Sequence, residues 1–197
     1  AATYTSNIEF SCEDAMRSAP DFLVRGCDTA IKNGAKVLNI PDTVGYTTPA
    51  EMKAMIEYLI KNVPDSDKVE FSVHCHNDLG MAVANALGGV QGGALQIECT
   101  VNGLGERAGN TSLEEVVMAI KTRPDLYAEP PRIDTTQIYR TSKLVYNIIG
   151  QSAAHNKPIV GANAFAHESG IHQHGVLANK STYEIMTPES VGIQTNQ

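Results

Sequence analysis

Val69-Glu70-Phe71-Ser72-Val73-His74-Cys75-His76-Asn77-Asp78 is a short alternating run that ends in a polar cluster. Period-2 patterning with β-branched and aromatic residues predicts a strand over Val69–Cys75. Residues two apart along a strand share one face, so His74 and His76 present their imidazoles to a common point. Neutral imidazole is the commonest side-chain metal ligand near pH 7. The pair therefore reads as half of a divalent-metal site, against the plainer alternative of two polar residues at a strand end. Cys75, between them, points the other way, into packing.

Working outward, three more apolar runs resemble this one: Ile8–Ser11, Val37–Pro41 and Leu95–Val101. Helical patterns separate and follow them over Glu13–Lys32, Pro49–Lys61, Leu79–Gln91 and Ser112–Lys121. Thr48-Pro49 and Thr111-Ser112 have the chemistry of helix starts, and Asn33-Gly34 that of a helix stop. Strand starts lie about 30 residues apart, the length of one βα unit, which predicts parallel strands joined by crossover helices. Each strand also ends in polar residues: Ser11 and Glu13; Asp42 and Thr43; His74, His76, Asn77 and Asp78; Asn102, Glu106 and Asn110. Chemistry gathered at the carboxyl ends of successive strands is the organisation of a (β/α)₈ TIM barrel; a doubly wound sheet gathers it at one crevice.

Four such units are visible before the Pro-rich stretch Pro124–Pro131, whereas a closed barrel takes eight and about 250 residues. The expected fold is therefore α/β: about the second half of a TIM barrel over residues 1–123, followed by a mostly helical subdomain over 124–197. In the latter, Thr135–Ala154 reads as one long amphipathic helix with Ile138, Leu144, Val145, Ile148 and Ile149 on one face. A half-barrel alone would have association-prone edges at Ile8 and Leu95.

With 42% hydrophobic and 19% charged residues, the chain has an ordinary globular composition. Its net charge is −7 and its 15 basic residues are scattered, which argues against a nucleic-acid partner. No apolar run is long enough to span a bilayer and no signal peptide opens the chain, so a cytoplasmic protein without a membrane partner is expected. Cys12, Cys27, Cys75 and Cys99 show no clustered spacing and read as reduced thiols. Asn102-Gly103-Leu104-Gly105-Glu106 lacks the third glycine of a dinucleotide loop, and no GxxxxGK occurs.

Three motifs now stand in order at strand spacing: Ile40-Pro41-Asp42-Thr43-Val44-Gly45, His74-Cys75-His76-Asn77-Asp78-Leu79-Gly80 and Asn102-Gly103-Leu104-Gly105-Glu106-Arg107-Ala108-Gly109-Asn110. Together they resemble the Claisen-condensing branch of the metal-dependent TIM-barrel acyltransferases and lyases. Phe10-Ser11-Cys12-Glu13-Asp14-Ala15, Ser169–Gly175 and Tyr183-Glu184-Ile185-Met186 narrow the likeness to the bacterial 2-isopropylmalate synthase family. The resemblance covers nearly the whole chain.

It implies condensation of acetyl-CoA with 2-oxoisovalerate (3-methyl-2-oxobutanoate) to 2-isopropylmalate and CoA, the first committed step of leucine synthesis. It also implies a divalent metal (Mg²⁺, Mn²⁺ or Zn²⁺) on His74, His76 and Asn110, completed by an Asp from an Arg-Asp motif that this chain lacks. Thr43 matches a hydroxyl that binds the substrate carboxylate, and Ser11 and Glu13 match residues lining the same pocket. His172 matches the base proposed for acetyl-CoA, and Tyr183 a tyrosine close to the acetyl-CoA site. The family arrangement implies a homodimer, and the chain by itself is expected to be inactive.

On residue type alone, plainer alternatives stay open. Asn110 reads equally as a cap before Thr111-Ser112, Thr43 as a turn residue, and Ser11 as the cap of a helix opening at Glu13. Glu106 and Arg107 are either a structural ion pair or catalytic. Homocitrate or citramalate synthases, and lyases running the condensation backwards, share the motifs; a metal-dependent hydrolase shares only the histidine pair.

Overall fold

The computed structural model describes residues 1–127, 129–166, 169, 171, 174, 177–179 and 182–194. The chain divides into two compact units, Ala1–Ser112 and Leu113–Gln197.

In the first unit, four strands form one parallel sheet in chain order: β1 (Glu9–Ser11), β2 (Val37–Asp42), β3 (Glu70–Cys75) and β4 (Gln96–Glu98). Each strand pairs with its successor, so the order never reverses as it does in a doubly wound sheet. Alternation splits the sheet into two faces of opposite chemistry. Leu38, Ile40, Phe71, Val73 and Cys75 are buried beneath the helices, and burial pushes the Cys75 thiol well up from its ordinary value. The other face carries a register row of Ser11, Asn39, Ser72 and Gln96, with His74 beside Glu98 one step further on.

Gln96 on β4 donates from Nε2 to Glu9 Oε2 on β1, the opposite edge strand, at 2.7 Å. Flat strands three spacings apart lie about 14 Å from each other, so the sheet must curl about its polar face. That is the wall of a barrel.

Helix α1 spans Pro20–Lys32, α2 Pro49–Asn62 and α3 Ala82–Gln91. The expected single helix over Glu13–Lys32 is broken: Ala15–Arg17 forms a short 3₁₀ turn, and Pro20 restarts the chain after an extended Ala19. Helix α2 opens as expected, with a reciprocal Thr48–Glu51 capping box and Pro49 in the first turn. Helix α3 begins three residues later than the pattern predicts. It lies close to the sheet because Gly89 faces Val73, where a Cβ would come within 2.6 Å of Cγ1.

The second unit contains α4 (Leu113–Thr122) and α5 (Ile138–Ile148), the latter preceded by a 3₁₀ turn at Thr135–Gln137. The helix expected over Thr135–Ala154 therefore stops early, at Gly150 with φ 67°. Of its apolar face, Ile138 is buried, while Leu144, Ile148 and Ile149 are exposed. Thr135 ties the turn to the 3₁₀ segment Pro188–Val191, its hydroxyl donating to Ser190 O at 2.7 Å. Lys157 reaches Glu114 at 3.1 Å and Glu115 at 2.7 Å. Among the described residues no helix is long and apolar enough to cross a membrane.

Candidate functional site

The strand ends of the first unit gather most of the residues singled out in the sequence. His74 is in β3 and His76 follows it; their ring centroids are 5.0 Å apart, tilted by 42°. The backbone of Asn110 pairs antiparallel with that of His76, flanked by Asn77 N–H to Gly109 O at 2.9 Å and Thr111 N–H to Cys75 O at 3.0 Å. Asn110 is thus stitched to the end of β3 rather than capping a helix, and α4 opens only at Leu113. Its Nδ2 donates to Leu104 O at 2.9 Å, which fixes the amide. The amide oxygen, Oδ1, then faces His74 Nε2 at 2.9 Å. Gly105 makes the fit possible, since a Cβ there would run into the Asn110 amide.

On its other side, His74 Nδ1 lies 2.6 Å from Glu98 Oε2, the residue paired with it in register on β4. Both neighbours of this imidazole are acceptors, and a neutral imidazole has one N–H. With a neutral ring, one of the two short contacts sets lone pair against lone pair; a second ring proton or a cation between them removes the conflict. His76 Nδ1 is buried with no hydrogen-bond partner among the described residues. Glu98 escaped the motif reading. The register of β4 against β3 places this acid on the histidine face, and no local pattern announces it.

Ser11 ends β1, and its hydroxyl accepts from Asn39 Nδ2 at 3.0 Å. It caps no helix, because the chain turns at Asp14 with φ 55° rather than coiling from Glu13. Glu13 is exposed at this turn. Thr43 follows β2, and its Oγ1 accepts the Asp14 backbone N–H at 3.0 Å. The turn behind Thr43 is rigid: the buried Asp42 carboxylate accepts from Thr47 N–H and Oγ1 and from Tyr46 N–H.

Arg107 grips Asp78 through two parallel bonds, Nε–Oδ1 at 2.8 Å and Nη2–Oδ2 at 3.0 Å. The same Nη2 donates to Thr43 O at 2.8 Å. The guanidinium holds the Asp78 carboxyl below its ordinary range. Glu106, whose side chain is 82% exposed, is a distant second partner at 3.4 Å, so Arg107 pairs with Asp78 rather than with its neighbour.

Tyr183 belongs to the second unit and is 41% exposed; His172 lies outside the described residues. Among the described residues no three His, Cys, Asp or Glu side chains converge into a metal-holding group. These strand ends bring together two imidazoles, with ring centroids 5.0 Å apart, and the Asn110 carboxamide, which lies against His74.

Residues 1–145 match the HMGL-like family model, and residues 159–197 the model described as homocitrate synthase post-HMGL domain-like. The chain is 62% identical over 197 residues to a 2-isopropylmalate synthase of Ruminiclostridium cellulolyticum, covering all of this chain and 39% of that protein. It is 58% identical over 193 residues to one from Aquifex aeolicus, covering 98% of this chain and 37% of that one. The chain thus spans about two fifths of the length of the curated relatives it matches. Among solved structures, hydroxymethylglutaryl-CoA lyase from Pseudomonas aeruginosa aligns with a TM-score of 0.61 at 19% identity, over 86% of this chain and 53% of that one. The curled run of four consecutive parallel strands with helices between them is accordingly part of a TIM-barrel wall, and the chain belongs to the HMGL-like family.

Proposed function

We propose that the chain is the second half of the catalytic barrel of a 2-isopropylmalate synthase, joined to a helical segment from about residue 124, and that it works within a longer polypeptide. The reaction is the condensation of acetyl-CoA with 2-oxoisovalerate to 2-isopropylmalate and CoA, in the cytoplasm and in a homodimer. Sequence identity near 60% along the whole chain supports this activity.

One observation carries the site. His74 is hemmed by two acceptors, Glu98 Oε2 at 2.6 Å and Asn110 Oδ1 at 2.9 Å. With the Nδ1 proton given to Glu98, the Nε2 lone pair and the Asn110 oxygen point at each other, and a cation taking both relieves the conflict. Donors on neighbouring positions of an octahedral ion, each about 2.1 Å from it, lie about 3 Å apart, in keeping with this spacing. The donor set thus fits a hard or borderline divalent ion: His74, His76 and Asn110 would hold it, with a further carboxylate from outside this chain. When bound, such an ion polarises the ketone of a 2-oxo acid and stabilises the developing alkoxide.

The remaining work falls to the chain itself. Glu98 fixes the tautomer and tilt of His74, as outer-shell carboxylates do for ligating histidines. Thr43 has its oxygen occupied by the Asp14 N–H, so its own O–H is left to donate to the substrate carboxylate. Ser11 and Glu13 line the same strand ends. His172 takes a proton from the methyl group of acetyl-CoA, imidazole being a suitable general base, and Tyr183, the match to a tyrosine close to the acetyl-CoA site, assists.

The test is an assay of the full-length polypeptide for CoA release with acetyl-CoA and 2-oxoisovalerate, pyruvate or 2-oxoglutarate, with and without chelator. Activity with 2-oxoisovalerate, lost on chelation and restored by Mg²⁺, Mn²⁺ or Zn²⁺, is expected. Preferred turnover of 2-oxoglutarate would instead assign a homocitrate synthase, and preferred turnover of pyruvate a citramalate synthase.

A further inference from the structure

Three strand-end loops meet on one guanidinium. Arg107, after β4, holds Asp78, after β3, through the two-bond fork and also donates to the carbonyl of Thr43, after β2. The fourth loop joins from the opposite side, where the Asp14 N–H, after β1, binds the Thr43 hydroxyl. Thr43 is therefore clasped at both ends, by its carbonyl and by its side chain.

The backbone around this clasp is held in conformations that L-residues seldom adopt. Asp14 has φ 55° and Arg107 φ 53°. Gly45, at φ 63°, lies against Asp78 so closely that a Cβ would meet the Asp78 backbone nitrogen at 2.7 Å. Strain of this kind clusters where geometry serves a function. Fold stability accounts poorly for it, because the Arg107 side chain is 43% exposed and an exposed ion pair contributes little. The bond to Thr43 O is the part of the arrangement that a simple ion pair does not need, and the planar fork of arginine can make it while still holding Asp78.

We infer that Arg107 is a positioning residue for substrate binding: clamped to Asp78, it sets the Thr43 turn so that the Thr43 hydroxyl, its oxygen already occupied by the Asp14 N–H, aims its proton at the carboxylate of the 2-oxo acid. This rests on the reading of Thr43 as the carboxylate-binding hydroxyl. Arg107 does not touch the substrate in this scheme and acts only through Thr43.

Steady-state kinetics of the full-length polypeptide test it, with Thr43→Ala, Arg107→Ala, Arg107→Lys and the double variant Thr43→Ala/Arg107→Ala. Arg107→Ala should raise KM for the 2-oxo acid about tenfold while leaving KM for acetyl-CoA within about twofold. Arg107→Lys keeps the charge beside Asp78 but not the fork, and should show most of the same increase; a wild-type KM for this variant would reduce Arg107 to an ion pair and overturn the inference. The double variant should match Thr43→Ala alone, whereas increases that multiply would mean that Arg107 acts independently of Thr43, leaving the Thr43 reading intact. No change in KM for Thr43→Ala would remove that reading itself, and the inference with it. Should Arg107→Ala fail to fold, Arg107→Lys and its double variant with Thr43→Ala carry the same comparison.

Discussion

The two faces of the sheet are built from the same strands and do opposite things. Leu38, Ile40, Phe71, Val73 and Cys75 form an apolar layer at most 3% exposed. One residue over in each case lie Asn39, Ser72 and His74, joined along the row by Ser11, Gln96 and Glu98. The apolar face obtains its energy from burial, which is indifferent to direction. The polar face depends on direction entirely: Asn39 reaches Ser11, Gln96 reaches Ser72 and Glu9, and Glu98 reaches His74. A sheet can thus place its stability on one side and its chemistry on the other, because the period of two keeps them from mixing.

The sharpest break in that division should come from His74→Ala. Removing one imidazole from the polar face should lower kcat of the full-length polypeptide on the order of 10²–10³-fold, the scale of losing a preorganised electrostatic contact. The melting temperature should change far less than for a core variant, because His74 is partly exposed and lies off the apolar layer. A fall in melting temperature as large as that of a core variant would show that the polar face also carries the fold.

Leu38→Ala makes the converse cut. Leu38 is fully buried, and truncation in a packed core costs about 2–5 kcal/mol. Circular dichroism of the full-length polypeptide in urea reads this loss. KM for the 2-oxo acid should not change in the fraction that remains folded.

How far these faces were legible beforehand depended on the range of the signal. The βα alternation and the His74-Cys75-His76 doublet are local patterns of period two, and both were readable directly. Pro20 breaking the first helix was also local, yet the apolar spacing of Glu13–Lys32 masked it. Glu98 beside His74 was not readable, because it depends on which residue of β4 falls opposite which residue of β3. Arg107 gripping Asp78 rather than Glu106 was hidden in the same way: 29 residues separate the partners, and only the left-handed turn at Arg107 brings them together. By residue type alone Asn110 reads as a helix cap, and only the long-range pairing with His76 shows that its backbone is tied to the end of β3 instead.

Glu98→Ala should have a smaller effect than His74→Ala, since it leaves all three proposed metal donors in place. Loss of an outer-shell carboxylate typically lowers metal affinity about 10–100-fold. Titration of the full-length polypeptide with Mn²⁺, followed by paramagnetic resonance, measures it. Unchanged affinity would mean that the Asn110–Leu104 bond and the sheet alone orient His74.

The smallest effect lies at the edge of the polar face. The Glu98 carboxyl beside Glu9 across the curl of the sheet, with partial burial, pushes the Glu9 pKa above the ordinary 4.5. The folded chain thus binds the Glu9 proton more tightly than the unfolded chain does. That contribution is full below about pH 4.5 and is lost as pH rises through the folded value. Glu9→Gln fixes the neutral form, keeps an acceptor for Gln96, and offers an N–H to Glu98. Its melting temperature should match the parent near pH 4 and slightly exceed it at pH 8, a small difference because Glu9 is exposed and screened by solvent. A variant less stable than the parent at pH 8 would mean that the two acids do not face each other, and the curl inferred from the Gln96–Glu9 bond would lose its second support.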